Sequence, residues 1–588
     1  MKTLFYLFLA SMVIFSCSDK SAENTKEETA STKLDKKPGW WKEGVIYQIY
    51  PRSFKDTDGD GIGDLKGIIQ KLDYIKSLGV DMVWLNPIYS SPNADNGYDI
   101  SDYRNIMDEF GTMEDFDIML KGMHDRGIKF VMDVVVNHSS DQHEWFKQSR
   151  SSRDNPYRDY YHWWPAERGK PNYRYSLFDA KGEAWKYDSL TNAYYLHYFS
   201  QQQPDLNWEN PKVRQEVYDV MKFWADKGVD GFRLDAFQYV AKDTTFPALP
   251  EGYEKEVIKY YGMGPNLHDY LREMNEDVLS KYEVFAVSEG AGSTFEDAHS
   301  LVDADRKELQ MVYHFEGMDV GNSLDRYKLA EFKKVYSKWD SAFSEKGWLS
   351  IFLANHDVAR MVSKFGNDSP EYRAASSKML NTFILSMRGT PYCYYGDELG
   401  MTNIDFEKIE QYQDIAAQNS FIKAKSEGAD MEAFMETLNF LSRDNGRTPM
   451  QWDATENAGF TAGTPWLPVN NNYQEINVTA QDKDPNSCLN YFRKMVAFRK
   501  NNPILVYGDY ELELPDDEQI FAYTRTQDDK KLLILLNFST EQATTNISER
   551  FNLKQEPVIN NYPSVSMEDT SLVLEPYQAL IFEVEKSL

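Results

Sequence analysis

From Trp40 onward, short runs of apolar residues alternate with longer stretches in which apolar positions recur every three or four residues. The short runs are GVIYQIYPRSF (44–54), DMVWLNPIY (81–89), KFVMDVVVNH (129–138) and GVDGFRLDAF (228–237), followed by YEVFAVSEG (282–290), LQMVYHFEG (309–317), WLSIFLANHD (348–357) and TPYCYYGDELG (390–400). Between them lie stretches such as MEDFDIMLKGMHDRG and PKVRQEVYDVMKFWADKG, whose spacing predicts amphipathic helices. Near-continuous apolar strands separated by helices predict a parallel sheet covered on both faces, and eight repeats fit a closed (β/α)8 TIM barrel.

The pattern breaks twice. Residues 139–207 form a polar, aromatic excursion after the third strand, read as a small inserted domain that splits the barrel into 38–138 and 208–510. After about residue 510 the strands alternate apolar and polar positions with turn residues between them, which predicts a C-terminal antiparallel β-sandwich over 511–588. At the other end, Lys2 and LFYLFLASMVIF form a signal segment too short to span a bilayer, ending at Cys17 in IFSC. This resembles a bacterial lipoprotein signal and implies lipidation of Cys17, export and a lipid anchor on a bacterial membrane, periplasmic or at the cell surface. Residues 18–37 have almost nothing apolar to bury and are expected to be a disordered tether.

A formal net charge of −29 over 588 residues argues against a nucleic-acid partner, which needs a basic surface. The two remaining cysteines, Cys393 and Cys488, sit in apolar surroundings and suggest neither a disulfide framework nor a metal site.

Chemistry in such a barrel sits at the C-terminal ends of the strands. Those ends carry Asp133, Asn137 and His138, then Arg233 and Asp235, then Glu289, then Asn355, His356 and Asp357. Arg233 and Asp235 are two apart, so they share one face of a strand that is otherwise apolar. An acid in such a place can simply cap the following helix. Three acids from three strands, flanked by two histidines and an arginine, instead suit glycosidic bond cleavage by paired carboxyl groups.

DVVVNH (133–138), GFRLDA (231–236), Glu289 in VSEG and NHD (355–357) resemble the four short motifs of glycoside hydrolase family 13, the α-amylase family. QPDLN (203–207) resembles a fifth motif in the form found in its α-glucosidase and oligo-1,6-glucosidase branch, and SRDNGRTPMQWD (442–453) extends the likeness. The resemblance implies Asp235 as nucleophile, Glu289 as acid/base and Asp357 as the carboxylate that stabilises the transition state. It also implies that Arg233 keeps Asp235 ionised, that His138 and His356 bond the first sugar, and that Tyr98 stacks beneath it. Asp99 and Arg443 match a pair that closes the pocket on the terminal sugar, with Arg447 as the alternative arginine. The small oligosaccharide substrate would lose one glucose at a time from its non-reducing end. Ala236, after the nucleophile, goes with α-1,4 linkages in this branch, whereas the surrounding segments look closest to oligo-1,6-glucosidases. Sucrose isomerisation or transglucosylation is the alternative on the same scaffold, although NSLDRYKLAE lacks the second arginine of the loop associated with isomaltulose synthesis. A non-catalytic glycan-binding lipoprotein is an alternative of another class.

DTDGDGIGDL (56–65) sets Asp56, Asp58, Asp60 and Asp64 at intervals of two or four, with the Ile62 carbonyl between them. This spacing suits oxygen ligation of Ca2+ or Mg2+, although Gly67 stands where an EF-hand has its bidentate glutamate. The loop resembles the structural calcium or magnesium loop of the same branch.

Overall fold

The computed structural model describes residues 39–584 except 180, 552, 554, 555, 569 and 570, so the signal segment, Cys17 and the tether lie outside the described residues. Eight parallel strands form the barrel: β1 Ile46–Ile49, β2 Met82–Leu85, β3 Lys129–Val135, β4 Gly231–Asp235, β5 Phe285–Glu289, β6 Met311–Tyr313, β7 Ser350–Ile351 and β8 Thr390–Tyr394. They pair in the order 6-5-4-3-2-1-8-7, and a parallel bridge between Val312 and Leu349 joins the two ends.

Alternation along each strand decides what the barrel encloses. Ile46, Met82, Trp84, Val131, Phe285, Val287, Met311, Tyr313 and Tyr392 form one apolar cluster. Their neighbours in sequence, among them Tyr47, Val83, Phe130, Ala286 and Val312, belong to a second that includes the surrounding helices. Followed along the strands, the first set of positions changes character: Val131 gives way to Asp133, Gly231 to Arg233 and Asp235, and Val287 to Glu289. The β3–β4 register sets Asp133 beside Arg233 and Val135 beside Asp235. Gly231 is tightly confined, since a Cβ there would lie 2.5 Å from the Phe285 ring.

The predicted helices appear at Met113–Asp125, with a Thr112–Asp115 capping box, and at Pro211–Asp226, capped by Asn210 with proline in the first turn. The inserted region contains a three-stranded antiparallel sheet of Trp163–Pro165, Ala193–Leu196 and Trp185–Asp188. The bridge His138–Asp205 ties its return to the end of β3, and Tyr161–Leu206 ties it to the start of the inserted sheet. After β8 the chain adds a helical hairpin that the sequence pattern did not single out, Ile415–Ser426 and Met431–Leu441.

The C-terminal domain is a sandwich of a five-stranded and a three-stranded antiparallel sheet, its first strand starting at Asp509. Ile520, Ala522, Leu533 and Leu535 pack with Leu572 and Leu574 of the smaller sheet. The intervening Phe521, Tyr523, Ile534 and Leu536 join the same core as the barrel's helices.

Candidate active site

Arg233 stands at the centre of the site. Its Nη1 donates to Asp133 at 3.0 Å and to Asp235, and its Nη2 donates to Glu289 and to the Tyr313 hydroxyl at 2.8 Å. The Tyr313 hydroxyl donates to Glu289 Oε1 at 3.0 Å, and the Ala236 amide to Oε2 at 2.8 Å. Arg233 and Asp133 are fully enclosed, while the side chains of Asp235, Glu289 and Asp357 are 9, 13 and 25% exposed. The acids therefore face the opening, with the guanidinium behind them.

One guanidinium serves three buried carboxyl groups, which sets their protonation. Burial pushes Glu289 up to about 8, against the pull of Arg233. Burial also raises Asp235, and Arg233 recovers only part of that shift because it is shared with Asp133 and Glu289. Arg233 thus pulls Asp235 toward its anion, as expected, while burial pulls the other way. Asp357 differs. Burial raises it, but its Oδ1 accepts Arg443 Nη1 at 2.9 Å and Arg447 Nη2 at 3.3 Å, and the balance falls well below the usual range. His356, 3.2 Å away, is driven by burial down to about 3, so at neutral pH the arginines supply the positive charge.

The Tyr98 hydroxyl lies 2.7 Å from His356 Nε2 and 3.0 Å from Asp133 Oδ2, and its ring stacks on His356 at 5.2 Å. His138 Nε2 is 3.1 Å from the Tyr98 carbonyl, and burial lowers this histidine to about 3 as well. Both imidazoles are therefore neutral hydrogen-bonding groups at neutral pH.

Asp99 is not the partner of Arg443. Its Oδ1 accepts the Ser91 hydroxyl at 2.9 Å and the Asp95 amide at 3.1 Å, folding the loop instead of facing the opening. The acid near Arg443 is Asp95, at 3.7 Å, and Arg443 also grips Asp414, the cap of the helix at Ile415. The DNGYD stretch holds both acids, and left-handed backbone at Asn96 and Gly97 turns them apart. Gln203 of QPDLN donates to Asp95 Oδ2 at 2.9 Å. In the sequence, Asp414 is signalled only by its place just ahead of the helix at Ile415, and Gln203 only by the QPDLN motif.

A cavity of about 1260 Å3 reaches Asp357 and is lined by Tyr239, Leu177, Val257, Phe315 and Leu441 among others. The hairpin meets the inserted domain beside Arg443: Asn419 Nδ2 donates to the Phe178 carbonyl at 2.6 Å, and Arg443 lies over the Phe178 ring at 4.9 Å.

In the aspartate loop, carboxylate oxygens of Asp56, Asp58 and Asp64 lie within 4.8 Å of one another. Oxygens across a calcium shell with bonds of about 2.3–2.6 Å are separated by at most about twice that length, so the group fits a hard cation. The Asp60 carboxylate is not among the three; its Oδ1 accepts the Ile62 amide at 2.7 Å. Gly61, with φ +92°, has no room for a side chain, since a Cβ would lie 1.8 Å from the Thr464 carbonyl.

The family described as alpha amylase, catalytic domain, matches residues 48–508, and the alpha-amylase SusG C-terminal domain matches 520–581. The oligo-1,6-glucosidase of Parageobacillus thermoglucosidasius is 52% identical, covering 93% of this chain and 99% of its own. That of Bacillus cereus is 49% identical with the same coverage. Among solved structures, isomaltulose synthase from Klebsiella sp. LX3 is 44% identical with a TM-score of 0.90, over 93% of this chain and all of that one. The acids at the ends of β4 and β5, the segment after β7 and the length of these matches lead to one conclusion: the chain belongs to the α-amylase family and is a glycoside hydrolase of its α-glucosidase branch.

Proposed function

We propose that this enzyme removes single α-glucosyl units from the non-reducing ends of short oligosaccharides with retention of configuration. The observation that carries the reading is the bridging of Asp235 and Glu289 by Arg233. Two carboxyls sharing one guanidinium suit the close pairing of retaining hydrolysis, about 5–5.5 Å, and not the roughly 6.5–9.5 Å that admits a water between them. Asp235 attacks the anomeric carbon as Glu289, kept protonated by burial, gives its proton to the departing oxygen. Water then takes the anomeric position of the glycosyl-enzyme, losing a proton to Glu289 and releasing Asp235. The Asp95–Arg443 pair supports an exo-acting pocket, because it offers a carboxyl group and a cation side by side to the outer hydroxyls of a terminal sugar.

Two linkages are supported by different observations. Relatives named oligo-1,6-glucosidase at 46–52% identity support α-1,6 cleavage, and Ala236 supports α-1,4. The test is glucose release from maltose and from isomaltose, with the anomer followed by NMR. Glucose appearing first as the α-anomer is expected; first appearance as the β-anomer, or no release from either sugar, overturns the reading.

A structural Ca2+ or Mg2+ belongs to the same proposal. Asp56, Asp58 and Asp64 would hold it through carboxylate oxygens, tying the loop after β1 to Thr461, whose hydroxyl donates to Asp56. Export and a lipid anchor at Cys17 rest on the N-terminal sequence alone. Metabolic labelling with an alkyne fatty acid should mark the full chain but not Cys17→Ala.

A further inference from the structure

We propose that Gln203 is a positioning residue that sets the orientation of the Asp95 carboxylate through its own side-chain amide. The inference rests on the reading that Asp95 meets the terminal sugar. Gln203 is fully buried and Asp95 nearly so, which makes every polar contact between them consequential. The orientation of the Gln203 amide is determined from outside the pair. Its Oε1 accepts the Ser200 amide at 3.1 Å, so Nε2, and not the oxygen, faces Asp95 Oδ2 at 2.9 Å. Nε2 also lies 3.1 Å from His138 Nε2 and 3.5 Å from the Tyr98 carbonyl, placing one amide among Asp95, Tyr98 and His138.

The backbone that carries Gln203 is held firmly. The Ser139 amide donates to the Pro204 carbonyl at 3.2 Å, which fastens the segment to the chain leaving β3. Next to it, the buried Asp205 meets Lys242 Nζ at 3.2 Å, and Lys242 also donates to Asn137 at 2.9 Å. Gln203 is thus carried by an ionic staple between the inserted domain and the barrel. On its other side, Asp95 faces the more distant Arg443 at 3.7 Å, with Arg447 beyond it. Among the described residues the Gln203 amide is the directional donor to Oδ2; without it the carboxylate can swing toward the guanidinium and away from the sugar.

The test is Gln203→Glu, which preserves shape and the contact with Ser200 but replaces the donor to Asp95 by an acceptor. Free glucose, which occupies only the first subsite, should inhibit the variant at least about tenfold more weakly, and kcat/KM for maltose and isomaltose should fall by a similar factor at nearly unchanged Tm. In an Asp95→Asn background the same change should cost no more, because the new amide at 95 can donate to the new carboxylate at 203. Wild-type glucose inhibition in the single variant, or losses that multiply in the double variant, overturn the proposal. If Gln203→Glu does not fold, Gln203→Met with the same cycle takes its place. A wild-type enzyme inactive on both sugars would instead count against the functional reading.

Discussion

The backbone amide of Ala236, the residue after Asp235, donates to Oε2 of Glu289 at 2.8 Å. One acid's strand thereby holds the other acid's side chain. The contact depends on a left-handed backbone at Ala236, φ +47°, where the chain leaves β4 and begins a short turn. A β-branched side chain is strained at such a φ. Ala236→Val is accordingly predicted to lower Tm while raising the isomaltose-to-maltose rate ratio. One methyl-scale change in a pocket amounts to about 1–3 kcal/mol of discrimination, and rate assays on the two disaccharides would register it. An unchanged ratio would remove Ala236 from the specificity argument.

Arg233→Lys should be far from conservative. An ammonium cannot reproduce the fork that reaches Asp133, Asp235 and Glu289 together. Breaking buried pairs of this kind costs about 3–5 kcal/mol. Turnover should fall by roughly a hundredfold to several thousandfold, with a clear drop in Tm by calorimetry. Near-wild-type turnover would mean that the acids do not depend on the bridge.

Activity requires Glu289 protonated and Asp235 ionised. Since burial raises both, kcat/KM should fall on the alkaline side as Glu289 loses its proton near pH 8, and on the acid side at a pH above the ordinary carboxylate range. Glu289→Gln should abolish the alkaline limb in whatever activity remains, for example toward an activated aryl glucoside. Survival of that limb would assign it to another group.

Asp95 and Asp99 should separate cleanly. Asp95→Asn is predicted to cost roughly 1.5–3 kcal/mol of transition-state binding, with Tm little changed. Asp99→Asn should lower Tm, because Asp99 accepts the Asp95 amide and the Ser91 hydroxyl inside the loop. Steady-state kinetics beside thermal melts would distinguish them; the opposite pattern would restore the pairing expected from sequence.

Chelation should destabilise without directly touching catalysis. A cation present at about a hundred times its Kd contributes roughly 2.7 kcal/mol, which corresponds to about 2 °C of Tm in a chain of this size. Melts with EDTA, then with Ca2+ or Mg2+ restored, would reveal it. An identical Tm throughout would argue against a bound ion.

Much of this was legible before the fold was known. Strand periodicity located all eight barrel strands, because each buries both faces and must read as an apolar run. The acids were legible for the complementary reason: a charge interrupting such a run needs a partner. The choice between Asp95 and Asp99 was not, since two acids four residues apart in one loop differ only in backbone turns that no periodicity records. The Asp414 contact with Arg443 was hidden for a similar reason, as it depends on how a hairpin after the last strand folds back. β7 is regular for only two residues, although its predicted span was ten, because the chain beyond it turns to present His356 and Asp357.

The sharing of Arg233 among Asp133, Asp235 and Glu289 makes the floor of the pocket a natural host for positive charge. A sugar ring approaching oxocarbenium character would find that charge complemented before any atom moved. A glucose analogue with a basic ring nitrogen carries the same charge permanently while protonated. Such a compound should therefore outcompete glucose itself by a wide margin, with its advantage vanishing as the amine is neutralised.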